Sequence, residues 1–180
     1  MSNSVFDGPA VDLMSMLDAR ESRVRVQQKL LEANPTNAML SATMNIPGEV
    51  KTSEVIREVF TTVIEAAERV LSDIIVTGQE YRDLPTGPEY YLTLPLTSVE
   101  LKQRMIQLEQ NHPWGRLLDL DVLWLKDGTL TSVSRETLNL PARTCFICNE
   151  NAKDCGRSRR HSVSQMQQVI ADLIQSGCEV

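Results

Sequence analysis

The chain has 180 residues, 42% hydrophobic and 23% charged, with a formal net charge of −6. That length suits one domain with a sizeable core, and the acidic balance argues against a general nucleic-acid binder. The sequence holds neither an apolar run long enough for a membrane span nor a basic-then-apolar leader, so a cytosolic protein is expected, with its four cysteines as thiols or metal ligands.

Residues 1–10 read as a loose lead-in. From about Val11 to Leu31 the apolar residues Leu13, Leu17, Val24 and Leu31 recur at helical multiples, predicting an amphipathic helix that Asn34-Pro35 ends. Met39 to Ile46 changes to a period of two, as in a half-buried strand. Pro47-Gly48 makes a turn, and Thr52 or Ser53 can cap a helix with a strong apolar face running to Leu71. Ile74–Tyr81 and Tyr90–Leu94 predict two more strands around the loop Pro85-Thr86-Gly87-Pro88. Thr97 with Glu100 forms a capping box for a helix ending before Asn111-His112-Pro113, and Leu117–Leu125 supplies a fourth strand.

The order from Met39 onward is β-α-β-β-α-β, which predicts an α+β fold with a ferredoxin-like sheet-and-helix core and an extra N-terminal helix. Beyond the Asp127-Gly128 turn, residues 128–161 read as an irregular Cys- and Arg-rich segment, and Ser162 caps a last helix through Ile174. All of 1–180 is expected to form a single domain.

The fourth strand carries an unusual pair. A period of two puts Asp119 and Asp121 on one face, with Leu123 and Leu125, inside an apolar run behind Gly115-Arg116. Two like charges side by side need a cation, and Mg²⁺ bridges carboxylates and substrate phosphates, which suits phosphoryl or nucleotidyl transfer. Arg116 could reach a phosphate bidentately. The alternative is a pair facing solvent at a strand edge.

Cys145-x2-Cys148 has zinc-knuckle spacing, and Cys155 and His161 complete a candidate three-thiolate, one-imidazole zinc set. Reduced cysteines in a loop-rich tail are the alternative. Arg143 to His161 holds five basic and two acidic residues, including Arg157, Arg159 and Arg160, whose guanidiniums match phosphate geometry. Lys51, between the Pro47-Gly48 turn and a helix start, is a candidate anion ligand without a P-loop pattern. Arg20, Arg23 and Arg25 read as a solvated helix face. His112 and His161 are candidate bases.

Together these segments resemble one family. Leu17-Asp18-Ala19-Arg20-Glu21 with Gln27-Gln28, Asn45-Ile46-Pro47-Gly48 with Lys51, and Pro85-Thr86-Gly87-Pro88-Glu89 come first. His112 to Val122, Leu140 to Cys148, and Cys155 to Ser162 follow in order. The chain is similar to the apo-citrate lyase phosphoribosyl-dephospho-CoA transferases, the holo-acyl-carrier-protein synthases of citrate lyase, over about residues 15–175. The resemblance implies 2'-(5''-triphosphoribosyl)-3'-dephospho-CoA as donor, a serine of the acyl-carrier (gamma) subunit of citrate lyase as acceptor, and diphosphate as the leaving group. The chemistry would then use Asp119 and Asp121 to hold Mg²⁺, with Arg116, Arg157, Arg159 and Arg160 clamping the leaving group. No Gly-Ser turn precedes the aspartates, which sets them apart from general nucleotidyltransferases. The runners-up are a carrier-protein nucleotidyltransferase of the malonate decarboxylase type and a non-enzymatic, zinc-stabilised interaction module.

Overall fold

Residues 4–178 are described by a computed structural model. Each long helix starts where a side chain can satisfy its free N–H groups. Asp12 accepts from the Ser15 N–H before α1 (Leu13–Ala33), and Ser53 from the Ile56 N–H before α2 (Glu54–Val70). Reciprocal capping boxes, Thr97 with Glu100 and Ser162 with Gln165, open α3 (Ser98–Asn111) and α5 (Val163–Gly177). Between them run β1 (Ala38–Met44), β2 (Gly78–Arg82), β3 (Glu89–Leu94), β4 (Leu118–Lys126), β5 (Thr129–Ser132) and the short α4 (Ala152–Ser158). The five strands form one sheet in the order β2-β3-β1-β4-β5, with antiparallel neighbours throughout. The fold is α+β. None of the described helices is long and apolar enough to cross a membrane.

Alternation along the strands gives the sheet two unlike faces. Leu40, Ala42, Leu92, Leu94, Leu118, Leu120 and Val122 meet Phe60, Val63, Leu101, Met105 and Ile170 in the main core. The other face is covered by α1, and only its far end is apolar, where Met39, Tyr91 and Leu123 pack with Leu31.

The differences from the sequence expectation have local causes. The apolar spacing of α1 marks the helix but not its buried side. Leu13, Leu17 and Val24 are exposed, whereas Ala19 and Gln27 face the sheet, because α1 covers polar strand residues. The strand expected from Ile74 begins at Gly78. Ile74 instead closes the turn after α2 through its N–H to the Leu71 carbonyl, and Ile75 is exposed. The segment after Asp127-Gly128 is more regular than expected. Both turn residues have positive φ, 51° and 76°, the geometry that folds β5 back on β4 as a tight hairpin. Of the lead-in, residues 4–10 are fastened rather than loose, since Ser53 Oγ donates to the Val5 carbonyl and Ala10 bridges Val50. Residues 1–3 lie outside the described residues.

Under α1 sits a buried ion cluster. Glu89, 1% exposed, accepts from Arg23 at 2.9 Å, Arg82 at 3.2 Å and the Tyr91 hydroxyl at 2.5 Å. Burial and the adjacent carboxylate push the Tyr91 phenol well above its ordinary pKa, so it stays a donor. Replacing Glu89 by Ala would strand two guanidiniums and is expected to cost about 3–5 kcal/mol. Urea unfolding measures this, and a loss below about 1 kcal/mol would show that α1 is seated by something else.

Candidate functional site

The register turns the α1 face into rows. Thr43 of β1 lies opposite Glu89 on one side and Asp119 on the other; one step along, Ser41 lies between Tyr91 and Asp121. The carboxylates thus share a face, at the polar end of the sheet.

A polar cavity of about 180 Å³ opens beside the first row, lined by Arg20, Arg23, Asn45, Lys51, Thr86 and Asp119 among others. Two glycine turns frame it. At Gly87, φ is +109°, a conformation that any side chain would strain, and the turn packs against the Lys51 carbonyl. The Lys51 ammonium donates to the Ile46 carbonyl at 2.6 Å, and burial, then the Arg20 charge, lowers its pKa. Glu89 aims Arg23 from behind. Adjoining concavities of about 210 and 460 Å³ share Arg20 and Lys51, and Thr86, with this cavity, making one groove around the start of α1.

The two aspartates have different surroundings. Asp119 Oδ1 accepts from Arg143 at 2.7 Å, and the same guanidinium reaches Glu109 at 2.9 Å, which Arg135 also holds at 2.7 Å. Burial alone would raise the pKa of Glu109, but the two guanidiniums outweigh it and the carboxyl lies below its ordinary value. Asp121 makes no hydrogen bond or ion pair among the described residues. Water reaches it, yet it stands over the packed centre of the sheet. That desolvation, followed by the charge of Asp119, raises its pKa.

The other candidates lie apart from the cavity. Arg116 donates to the Thr144 carbonyl at 2.6 Å and stacks over Phe146. Arg157 pairs with Asp154 at 4.0 Å, and Arg159 and Arg160 are exposed beyond α4. None of the four lines the cavity. They serve or flank a second centre, where the ligand atoms of Cys145, Cys148, Cys155 and His161 lie within 4.8 Å of one another and could hold a metal ion. His112 closes the end of α3, its Nδ1 accepting from the Trp114 N–H.

Sequence reasoning passed over Arg20, Arg23, Glu89 and Arg143 as site residues. For Glu89 a signal existed, a lone acid opening the apolar strand Glu89-Tyr90-Tyr91-Leu92. Arg23 and Arg143 carry no local signal, because what distinguishes each is the carboxylate it meets from a distant strand or helix, and Arg20 is marked only by the cavity it lines.

A family profile described as apo-citrate lyase phosphoribosyl-dephospho-CoA transferase matches residues 11–177. The chain belongs to that family. A probable apo-citrate lyase phosphoribosyl-dephospho-CoA transferase from Streptococcus pyogenes serotype M18 is 49% identical over 97% of this chain and 91% of its own. One so named from Vibrio cholerae is 35% identical over 91% and 92%. Protein CitXG of Haemophilus influenzae is 35% identical over 94% of this chain but 36% of its own length. For this transferase-family chain, the cavity gathers pieces of three motifs far apart in sequence, around Arg20, Asn45 to Lys51, and Thr86 to Pro88.

The raised pKa of Asp121 has a consequence for stability. Its ionised form is disfavoured on folding, so the cost is full at neutral pH and absent below the ordinary aspartate value of 3.8. Asp121→Asn is expected to raise Tm by about 1–2 °C at pH 7. That gain should vanish near pH 3.5. A Tm that falls at pH 7 would show that the ionised carboxylate is stabilised by the fold.

Proposed function

We infer that this chain transfers phosphoribosyl-dephospho-CoA from 2'-(5''-triphosphoribosyl)-3'-dephospho-CoA to a serine hydroxyl of the acyl-carrier (gamma) subunit of apo-citrate lyase, releasing diphosphate. Family membership carries the transfer onto apo-citrate lyase. The single observation that carries the site assignment is the meeting of Arg20, Arg23 and Lys51 with Asp119 in one polar cavity. We read the chain as a single transferase domain whose β-α-β-β-α-β core is ferredoxin-like. The antiparallel strand order β2-β3-β1-β4 supports that reading. The four free thiols fit the reducing cytosol, where we place the reaction.

The serine oxygen must form a bond to the α-phosphorus in line with the departing diphosphate. The protein's tasks are therefore to hold the triphosphate, neutralise charge on the leaving group and orient the acceptor. Arg20, Arg23 and Lys51 would hold phosphate oxygens, the two guanidiniums offering forks and Lys51 a point charge. A phosphate there would also relieve the repulsion between Arg20 and Lys51, which adds to burial in lowering the lysine pKa. Asp119 and Asp121 would hold Mg²⁺. The unpartnered, repelled state of Asp121 supports a cation there, and when bound such an ion supplies charge stabilisation to the phosphoryl oxygens. The clamp we assign is thus Arg20, Arg23 and Lys51, in place of Arg116 and the Arg157–Arg160 run. The apolar remainder of the groove, around Val11 and Pro85, suits the uncharged arm of the donor.

Incubating the protein with apo carrier subunit, Mg²⁺ and the triphosphoribosyl donor is expected to raise the carrier mass by the donor less diphosphate. An unchanged mass with folded protein would overturn the reading. Asp119→Asn and Asp121→Asn should each lower kcat by about 10²–10³. Lys51→Ala should chiefly raise the donor KM, by about tenfold. Full activity in both aspartate variants would overturn the metal assignment.

A further inference from the structure

The cysteine-histidine cluster is placed where it can act on the transfer site. Three thiols and one imidazole form a donor set that favours zinc over the hard, oxygen-seeking Mg²⁺. In a tetrahedral zinc site with Zn–S of about 2.3 Å, the sulfurs stand about 3.8 Å apart. Cys148 and Cys155 Sγ are 3.9 Å apart, and all four ligand atoms fall within 4.8 Å of one another. His161 adds an independent sign of a missing ligand. Its Nε2 is buried without a hydrogen-bond partner, a state that costs about 1–3 kcal/mol unless something occupies its lone pair. The backbone is arranged for a thiolate too, with the Ile147 N–H directed at Cys145 Sγ at 3.4 Å.

Apart from Phe146, half-buried against the main core beneath Arg116, little else holds this stretch of chain. Between 140 and 160 the buried residues are Cys145 and Cys155, both members of the cluster. A short hairpin bridged at Thr144 and Asn151 is closed by the Cys145 N–H to the Glu150 carbonyl and the Ala152 N–H to the Arg143 carbonyl. Its base carries Arg143, which pairs with Asp119 and Glu109 and donates to the Leu118 carbonyl at 3.1 Å. Thr144, next in sequence, accepts from Arg116.

We propose that Cys145, Cys148, Cys155 and His161 bind one zinc ion, and that this ion, by closing the 145–161 segment, holds Arg143 on Asp119. The link to catalysis rests on the reading of Asp119 as a transfer-site residue. With four protein ligands the zinc has no open position and does no chemistry itself. Arg143 is a positioning residue, steering one carboxylate of the pair while Asp121 stays open.

Elemental analysis of the full-length protein should find about one zinc per chain. Its removal by a chelator should lower Tm and speed hydrogen exchange over 140–161 and at Leu118–Asp121. With Mg²⁺ returned in excess, the zinc-depleted protein should lose about tenfold or more in kcat and keep its donor KM within about twofold, because Arg20, Arg23 and Lys51 lie off this segment. Adding zinc should restore kcat. Arg143→Ala should keep its zinc and reproduce the kcat loss, whereas Cys148→Ser should lose the metal. Zinc below about a tenth per chain after purification and incubation with Zn²⁺ would overturn the site. Bound zinc with wild-type kcat in Arg143→Ala, or unchanged exchange at Leu118–Asp121 after zinc removal, would overturn the coupling. If the intact protein modifies no carrier, the transfer reading fails by itself, and the metal content and exchange data still decide this one.

Discussion

Glu89 lies almost wholly buried between α1 and the sheet, its two oxygens divided among Arg23, Arg82 and Tyr91. Taking a carboxylate out of water costs several kcal/mol, and that cost is offset only where the geometry gives it full partners. Here the partners come from three elements, so α1, β2 and β3 cannot shift independently. The same requirement explains why α1 turns Ala19 and Gln27 inward and leaves Leu13, Leu17 and Val24 in solvent. The helix is docked by its polar edge, with Gln27 donating to Ser41 and apolar contact confined to its last turns. Arg23 spans both roles, pairing with the buried acid and lining the cavity.

A second ionic chain runs around the open edge of β4. Its pairing with β5 covers only Leu123 to Lys126, which leaves earlier carbonyls without a strand partner. Arg143 satisfies Leu118 and Lys102 satisfies Leu120, each from outside the sheet. Burial lowers the pKa of Lys102, while the charges of Asp121 and Glu109 pull the other way. The cations that mend the strand edge are therefore also the fixed charges nearest the aspartates. Edge repair and site electrostatics are one arrangement.

Much of the scaffold was legible because it depends on short-range rules. The capping residues Ser53, Thr97 and Ser162 start helices as their side-chain chemistry requires. The alternation in Leu118 to Val122 puts its leucines in the main core and its aspartates on the opposite face. The misreadings share a cause. Ile74 to Thr77 looks like a strand by residue type, yet Ile74 closes the turn that follows α2 and Ile75 is exposed, so pairing with β3 begins only at the Thr77 N–H. In α1 the apolar spacing is real, but the surface it meets is polar, which no property of the helix sequence discloses. The candidate site divides in the same way. The turn at Pro47 to Lys51 and Asp119 share a cavity, whereas the Arg157–Arg160 run, conspicuous as composition, is solvated beyond the thiol cluster. A cluster of arginines is visible in sequence; the carboxylate that orders one of them belongs to the tertiary fold.

What distinguishes this cavity from an ordinary surface recess is that charges of each sign are left partly uncompensated a short way apart. On one side burial, then the charge of Arg20, lowers the pKa of Lys51; on the other burial, then the charge of Asp119, raises that of Asp121, with Lys102, Arg143 and Arg23 pulling the other way. Asp119 is paired with Arg143 and Arg20 is solvated, so the partly desolvated groups without an ion pair are Lys51 and Asp121, one of each sign. Both stand at the polar end of the same sheet face, where Thr43 and Asp119, in register with Glu89, line the cavity. A polyanion alone would relieve the cations and aggravate the acids, and a divalent cation alone would do the reverse. In the proposed reaction a polyphosphate bound together with a divalent cation would relieve both, which is the charge distribution of a metal-bound triphosphate.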